Sequence, residues 1–584
     1  MLSETSEKTM HRVRWALTLG WLLLIASLYF DPVTKFFLDP STTWSPFRLD
    51  PSSYLDPTKC PKIQGQCVVQ DPRYMSAMIW WTIIVPAAIL ILISVGHEFW
   101  RRICPLSFIS QIPRALGIQR KRKVVDAAGN VRWDVVTIGD NSWLGRNRLC
   151  VQFGLFLAGL SARLLFVNAD RTVLGLFLLG TMLCAVLVGY LYAGKSWCNY
   201  FCPMAPVQLV YTGPRSLLGS EAHLKPKPAI TQSMCRTVDP QTGQELGACV
   251  ACKSHCIDID AEDSYWAGLY DRGRDVIAYG YLGAVIAFYF YYWLYSGDWS
   301  YYFSGAWTRE QGQMTHLFDP GFYFNGLAIP IPKLFAAPLT FIVFVAIFVV
   351  IGRLAETGWR NFRSVQGRPV SAEQARHFMF TSFTAVSFWT FFTFGARPWV
   401  NQLHPVLFYG FNALIAALGF AWLLRTLYRS HAQYERERIA TSLRKQLRKI
   451  LDPSMLEGRS LEDLSPNEVY TLVKTLDKLL PELSRQSRLQ AYIGVVQDLL
   501  NQQVVSEANS LKFFNKLRQD LNLKDLDHFE AMEAIALTQP ELLVSQEPIN
   551  STSADSKTVA KTVRRRRDRN GTVAFGEAPG RSRR

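Results

Sequence analysis

Apolar and polar positions divide this chain into two unlike parts. From about residue 15 to Leu424, long apolar runs alternate with polar loops, and after Leu424 the sequence is polar and charged. Eight runs are long enough, or nearly so, to cross a hydrocarbon layer of ~30 Å as helices. They are 15–30, 75–96, 149–168, 172–194, 276–295, 331–352, 378–394 and 405–424, the first and seventh being short. Beyond them, segments 434–451, 466–480, 484–503, 507–521 and 526–537 are helical in period. Ser465-Pro466-Asn467-Glu468 reads as a helix start with proline in the first turn. The pattern predicts an all-α polytopic membrane protein of about eight transmembrane helices with a C-terminal helical domain. No small-residue cleavage site follows the first run, so it reads as a retained anchor.

Charge orients these helices. The net charge is +16, and much of it lies beside the apolar runs. Loop 97–148 holds ten Lys/Arg against four acids, and loop 353–377 holds five Arg. On the other side, loop 31–74 balances five basic residues with five acidic ones, and 296–330 has only Arg309. Basic loops stay cytoplasmic, which places 97–148, 195–275, 353–377 and both termini there. The basic residues are not gathered on one soluble fold, which argues against nucleic acid as a partner; membrane lipid is the partner the composition predicts. The expected organisation is an N-terminal helix and outside loop (1–74), paired helical hairpins with a basic loop (75–194), a cytoplasmic insert (195–275), four helices (276–424), a helical domain (425–538) and a disordered basic tail (539–584).

The hairpins repeat. Gly96-His97-Glu98-Phe99-Trp100-Arg101-Arg102-Ile103-Cys104-Pro105 follows the second run, and Gly194-Lys195-Ser196-Trp197-Cys198-Asn199-Tyr200-Phe201-Cys202-Pro203 follows the fourth. Trp100 stands where the second copy has Cys198. Seven of the eleven cysteines lie in these two loops: Cys104, Cys198, Cys202, Cys235, Cys249, Cys252 and Cys256. Thiolates in tight spacing select iron–sulfur clusters, zinc or copper(I). Cys249-x2-Cys252-x3-Cys256 matches the end of a bacterial ferredoxin run, although thirteen residues instead of two separate Cys235 from Cys249 and Ile257 replaces the usual proline. Packing of reduced thiols explains such spacing poorly; a four-cysteine zinc site is the stronger rival.

Paired hairpins ending in Cys-x3-Cys-Pro and followed by a ferredoxin-like cysteine run resemble the membrane-bound polyferredoxins of the NosR/NapH type over roughly residues 75–275. The resemblance implies [4Fe-4S] clusters at the cytoplasmic face of a bacterial inner membrane. It carries over Cys198, Cys202, Cys249, Cys252 and Cys256 as ligands, with Cys235 as the displaced first ferredoxin cysteine and Cys104 as the second cysteine of the other hairpin. One cluster is expected. A second needs a ligand other than cysteine, for which His97 and His255 are candidates against an ordinary role as polar loop residues. Lys253, Arg101 and Arg102 are candidate tuning charges. The implied function is electron transfer at the cytoplasmic face, to or from a quinone or a partner redox protein, with donor and acceptor open. The alternative is a redox-sensing or assembly scaffold with a structural iron–sulfur or zinc site, its helical tail binding a protein partner; a transporter with a structural metal is a third reading.

Other residues carry weaker signals. Cys60 and Cys67 suit a small disulfide loop, with a redox-active pair as the rival. His97, His316, His377 and His404 lie near helix ends, as haem ligands do, but isolated interfacial histidines are common. Aromatic residues crowd the outside loop around Trp299–Phe324, as in an interfacial belt, and a quinone site there has no specific signal. Arg564–Arg567 reads as a solvated tail near anionic lipid. No Gly-rich phosphate loop, Ser-His-Asp set or paired intramembrane carboxylate is evident.

Overall fold

The computed structural model describes residues 7–31, 34, 36–37, 39–45, 48, 56–70, 75–125, 131–219, 222–224, 236–238, 245–247, 256–401, 403–449, 460–461, 463–479, 485–501 and 507–539. Among the described residues, six helices are long and apolar enough to cross a membrane. In chain order the helices used below are α1 (Glu7–Tyr29), α2 (Trp80–Ser94), α3 (His97–Ile103), α4 (Trp143–Val167), α5 (Arg171–Leu191), α6 (Ala205–Thr212), α7 (Ala261–Ala267), α8 (Arg274–Ser296), α9 (Lys333–Val365), α10 (Ala372–Gly395), α11 (Pro405–Thr426) and α12 (His431–Leu447). The six are α4, α5, α8, α9, α10 and α11. α1 forms where the first apolar run lies, but His11, Arg12 and Arg14 fall in its first turns, and it is not among the six. α2 is apolar but short, and the segment Met75–Ile79 leads directly into it.

The core is built around α8, which packs on α9 and α10 and is buried over most of its length. Small residues allow this closeness. A Cβ on Gly283 would lie 2.5 Å from the Phe344 carbonyl oxygen, and one on Gly352 would lie 2.2 Å from the Tyr279 ring; close backbone approach at small residues is how membrane helices gain packing contacts. The outer faces stay apolar: Leu183 and Leu187 on α5, Ile342 and Val350 on α9, and Leu414 and Phe420 on α11 are exposed. Exposed apolar surface of this extent is what lipid covers. With 33 residues, α9 outruns the apolar run predicted for it and reaches about 50 Å at 1.5 Å per residue; it carries Gly352 and Gly358 without breaking, continues through Arg353, Glu356 and Arg360, and ends just before Gly367, whose φ is 70°.

The chain is mostly helical, and among the described residues four small antiparallel two-stranded hairpins accompany the helices. One carries the basic run, pairing Lys121–Val125 with Val131–Val135. Two others turn through paired positive-φ residues, Gln64-Gly65 and Asn325-Gly326, the backbone a tight type I′ turn requires. The first of these bears a disulfide joining Cys60 and Cys67. Gln64 pins it to the end of α8, its backbone N–H donating to the Ser296 carbonyl at 2.9 Å and its side chain to the Pro320 carbonyl at 2.8 Å. A Cys67→Ser variant is therefore expected to lose about 2–3 kcal/mol of stability by chain entropy, read as a lower melting temperature, with any bound iron unchanged. Full stability with loss of electron transfer alone would make the pair a redox couple.

The chain divides into two units, 1–441 and 442–584. The division falls inside α12, whose first eleven residues belong to the first unit. In the second unit, helices Pro466–Leu479, Arg485–Asn501, Glu507–Asp520 and Asp525–Thr538 fall within a few residues of the predicted ones. Ser465 and Glu468 cap the first reciprocally, the Ser465 N–H donating to the Glu468 carboxylate and the Glu468 N–H to the Ser465 hydroxyl. Val469, Val473, Tyr492, Val495, Leu499 and Ile535 are buried there. The tail after Gln539 lies outside the described residues.

Candidate functional site

The repeat seen in the sequence is also a repeat of backbone geometry. Each copy opens on a glycine of positive φ, 97° at Gly96 and 71° at Gly194. Each ends on an extended cysteine: Cys104 has φ −63° and ψ 116°, and Cys202 has φ −62° and ψ 119°. The cause is local. A residue before proline is driven out of the helical region by the proline ring, so Pro105 and Pro203 stop each helix at its cysteine. The copies differ in winding. The Cys104 N–H donates to the Trp100 carbonyl, whereas the Cys202 N–H reaches the Trp197 carbonyl across a π-helical turn, Trp197–Phe201, that carries Cys198. Cys198 and Cys202 therefore do not share the regular α-helical face that their spacing predicts, but both are buried in one cluster with Ala185, Val188 and Trp197.

Cys104 joins them from the other hairpin. Burial pushes its thiol up to about 11, and the neighbouring Cys198 adds to the rise. The Cys202 thiol is raised further, first by burial and then by Cys198 and Cys104. Three thiols thus lie within electrostatic reach of one another. Cys256, from the end of the insert, lines a small cavity with Cys198, Asn199, His97 and Arg101. Cys235, Cys249, Cys252, Lys253 and His255 lie outside the described residues. Among the described residues, no three or more His, Cys, Asp or Glu side chains are grouped as ligands of one metal ion.

A buried ionic knot adjoins the thiols. Asp258, two residues after Cys256, receives Arg101 Nη1 at 2.8 Å, with Lys195 Nζ at 3.5 Å and His97 Nε2 at 3.8 Å. Arg101 also donates to Asn199 Oδ1 at 3.3 Å from both terminal nitrogens. The four partners come in pairs from the two copies, His97 and Arg101 from one, Lys195 and Asn199 from the other. All are nearly inaccessible. Burial alone would raise the Asp258 pKa, but Arg101, Lys195 and His97 outweigh it and hold the carboxylate ionised. Burial and the Arg101 charge keep His97 neutral. Two cations thus face one carboxylate, which leaves one surplus positive charge beside Cys198 and Cys256, and both thiols act electrostatically on Arg101. Among the described residues, Lys195 Nζ, the Trp197 indole N–H and both His97 ring nitrogens are buried without a hydrogen-bond partner. Buried donors are ordinarily satisfied, so this arrangement fits an anionic, hydrogen-bond-accepting group bound among the thiols.

No family model, curated protein or solved structure matches this chain.

Of the tuning charges proposed from the sequence, Arg101 is at the thiols; Arg102 is buried, and its carbonyl accepts from Arg14 Nε at 2.9 Å. His97 is not the ordinary polar loop residue expected. Asp258, Lys195 and Asn199 were missed, although aligning the two copies pairs Lys195 with His97 and Asn199 with Arg101. The other candidate histidines are occupied. His377 contacts the Tyr265 hydroxyl at 2.8 Å and the Thr426 carbonyl at 2.9 Å, His316 meets Asp319 at 2.6 Å, and His404 accepts from the Val406 N–H.

A second charged web fixes the insert's end to α12. Arg429 donates to Glu262 at 2.6 Å and to Glu437 at 2.6 Å, Arg438 to Asp263 at 2.9 Å, and the Tyr434 hydroxyl to Asp260 at 3.0 Å. Burial opposes the Glu437 charge, but hydrogen bonds from Arg429 and His223 take its carboxyl down to about 2. These pairs are why α12 begins in the first unit.

Proposed function

We propose that the chain is a membrane-bound iron–sulfur protein of the NosR/NapH polyferredoxin type that transfers electrons at the cytoplasmic face of a bacterial inner membrane, to or from a quinone or a partner redox protein. The observation that carries this reading is the convergence of Cys104, Cys198 and Cys202 beside a buried surplus of positive charge. Thiolate-ligated clusters are anionic, and nearby cations and hydrogen-bond donors set their potential. In two-cluster ferredoxins the last cysteine of the run ligates the other cluster. By that rule Cys256 belongs with Cys104, Cys198 and Cys202, which makes four thiolates for one [4Fe-4S] cluster. Cys235, Cys249 and Cys252 remain for a second, which then needs a ligand other than cysteine. The protein's own groups hold the thiolates in a water-poor pocket: the Cys-Pro turns fix Cys104 and Cys202, Gln152 Nε2 anchors the Cys198 carbonyl at 3.0 Å, and Arg101, Lys195 and His97 supply charge and donors.

In this reading α1 and α2 complete eight spans. Thr315 is exposed in the loop that precedes α9, and Ser364 is exposed in the last turn of α9. In intact cells, a cysteine introduced as Thr315→Cys is expected to react with an impermeant thiol reagent and Ser364→Cys to be protected; the reverse would put the thiol site outside. Repeated reduction and reoxidation of anaerobically purified protein tests the function itself. Electron transfer requires the visible absorbance to bleach and return over many cycles, whereas a cluster destroyed by one cycle would argue for sensing.

A further inference from the structure

At the end of the helices away from Cys104, Cys198 and Cys202 lies a cavity of about 340 Å³, within the ~300–1,000 Å³ range of small-molecule sites. Its walls are the start of α2, the ends of α8 and α10, and the segments that follow them. Phe288, Tyr289, Tyr302, Trp307 and Phe391 present aromatic rings, and no acidic residue is among the lining groups. One cation enters this apolar wall. Arg163, in the last turn of α4, stacks its guanidinium over Trp81 at 4.0 Å and Phe288 at 4.7 Å. Its Nε donates to Asn168 Oδ1 at 3.1 Å, and Asn168 is in turn held by the Tyr292 hydroxyl at 2.8 Å. Among the described residues, Arg163 makes no ion pair and its two terminal nitrogens donate no hydrogen bond.

An ionisable side chain inside a membrane helix is costly and marks a functional site unless it is neutralised. Aromatic faces stabilise the cation here, yet they leave the guanidinium edge with donors to give. Tyr289 donates to the Phe391 carbonyl, Tyr302 to the Phe394 carbonyl and the Trp307 indole to the Tyr302 carbonyl, whereas the Trp81 indole N–H has no partner among the described residues. Local winding supports a binding role, because the two segments that bring Trp81 and Arg163 together, Trp80–Ile84 and Arg163–Val167, are both π-helical turns, a form that concentrates at functional sites.

We infer that this cavity binds a membrane-soluble amphiphile with a flat ring bearing carbonyl acceptors on an apolar tail, the chemistry of an isoprenoid quinone, with a ring carbonyl accepting from Arg163. Flat aromatic walls suit a ring, and a single cation with two spare donors suits one neutral acceptor better than a phosphate headgroup, which recruits several cations. The inference does not rest on the cysteine reading, since no cysteine lines the cavity.

The test is calorimetric titration of decylubiquinone into the purified full chain in detergent. Saturable binding of one molecule per chain is expected. Arg163→Met should weaken it about tenfold or more, the loss of one charge-assisted hydrogen bond. Ala396→Phe, which fills the cavity without touching the cation, should abolish it while melting temperature and elution stay unchanged; this variant carries the test if Arg163→Met misfolds. Absence of saturable binding, full affinity in the folded variants, or displacement of the quinone by stoichiometric phosphatidylglycerol would overturn the inference.

Discussion

Replacing Asp258 with Ala is expected to destabilise the first unit severely. The substitution strands Arg101 and Lys195, both buried and both without another carboxylate among the described residues. Removing one partner of a buried ion pair costs roughly 3–5 kcal/mol because the remaining charge stays unsolvated, a large share of a total stability of about 5–15 kcal/mol. The variant should accumulate poorly in membranes, and what accumulates should melt well below the parent. Adding Lys195→Met should recover part of the loss, since it removes one stranded cation. An Asp258→Ala protein that melts like the parent would mean that these charges are hydrated, and the electrostatic argument for an anionic guest among the thiols would fall with it.

Cluster ligation should divide the cysteines into two classes. Cys104→Ser, Cys198→Ser, Cys202→Ser and Cys256→Ser are expected to remove the same iron and the same low-temperature paramagnetic signal, because the proposed reading assigns these four thiols to one cluster. A [4Fe-4S] cluster held by four thiolates becomes labile when one is lost. Cys249→Ser and Cys252→Ser should leave that signal and abolish a second one where a second cluster is present. Cys184→Ser, whose thiol is exposed on the apolar face of α5, should change neither. The deciding variant is Cys104→Ser. If it keeps all the iron, the first hairpin is a degenerate copy and Cys104 is a packed thiol beside the site rather than a ligand.

How far the sequence alone reaches differs by element. Hydrophobic runs located the six long helices to within a few residues at most ends, and helical period with the Ser465 cap located the helices of the second unit, because burial and capping are local in sequence. The Cys-Pro turns were legible for the same reason, since proline restricts its own neighbour. The ends of α9 and α10 were not. Charged residues such as Arg353 continue a helix past its apolar run, and α10 starts at Ala372, six residues before its apolar run, where Ser371 and Gln374 cap it reciprocally, so polarity there did not signal a loop. Contacts between distant parts of the chain stayed hidden: Arg101 meets Asp258 across 157 positions and Arg429 meets Glu262 across 167. No periodicity encodes such pairs, and with them went the site's electrostatics and the boundary inside α12. His97 was underrated because a lone histidine next to a helix start looks polar and exposed until its neighbours are known.

The central claim is that the converging thiols hold iron and sulfide. Its most direct measurement is chemical analysis of the full-length protein purified anaerobically, counting iron, acid-labile sulfide and zinc per chain. The account predicts a brown protein with equal iron and sulfide, four of each per chain for one [4Fe-4S] cluster and eight for two, and negligible zinc. A colourless protein with one zinc per chain, or with no metal at full occupancy of folded chains, would contradict it.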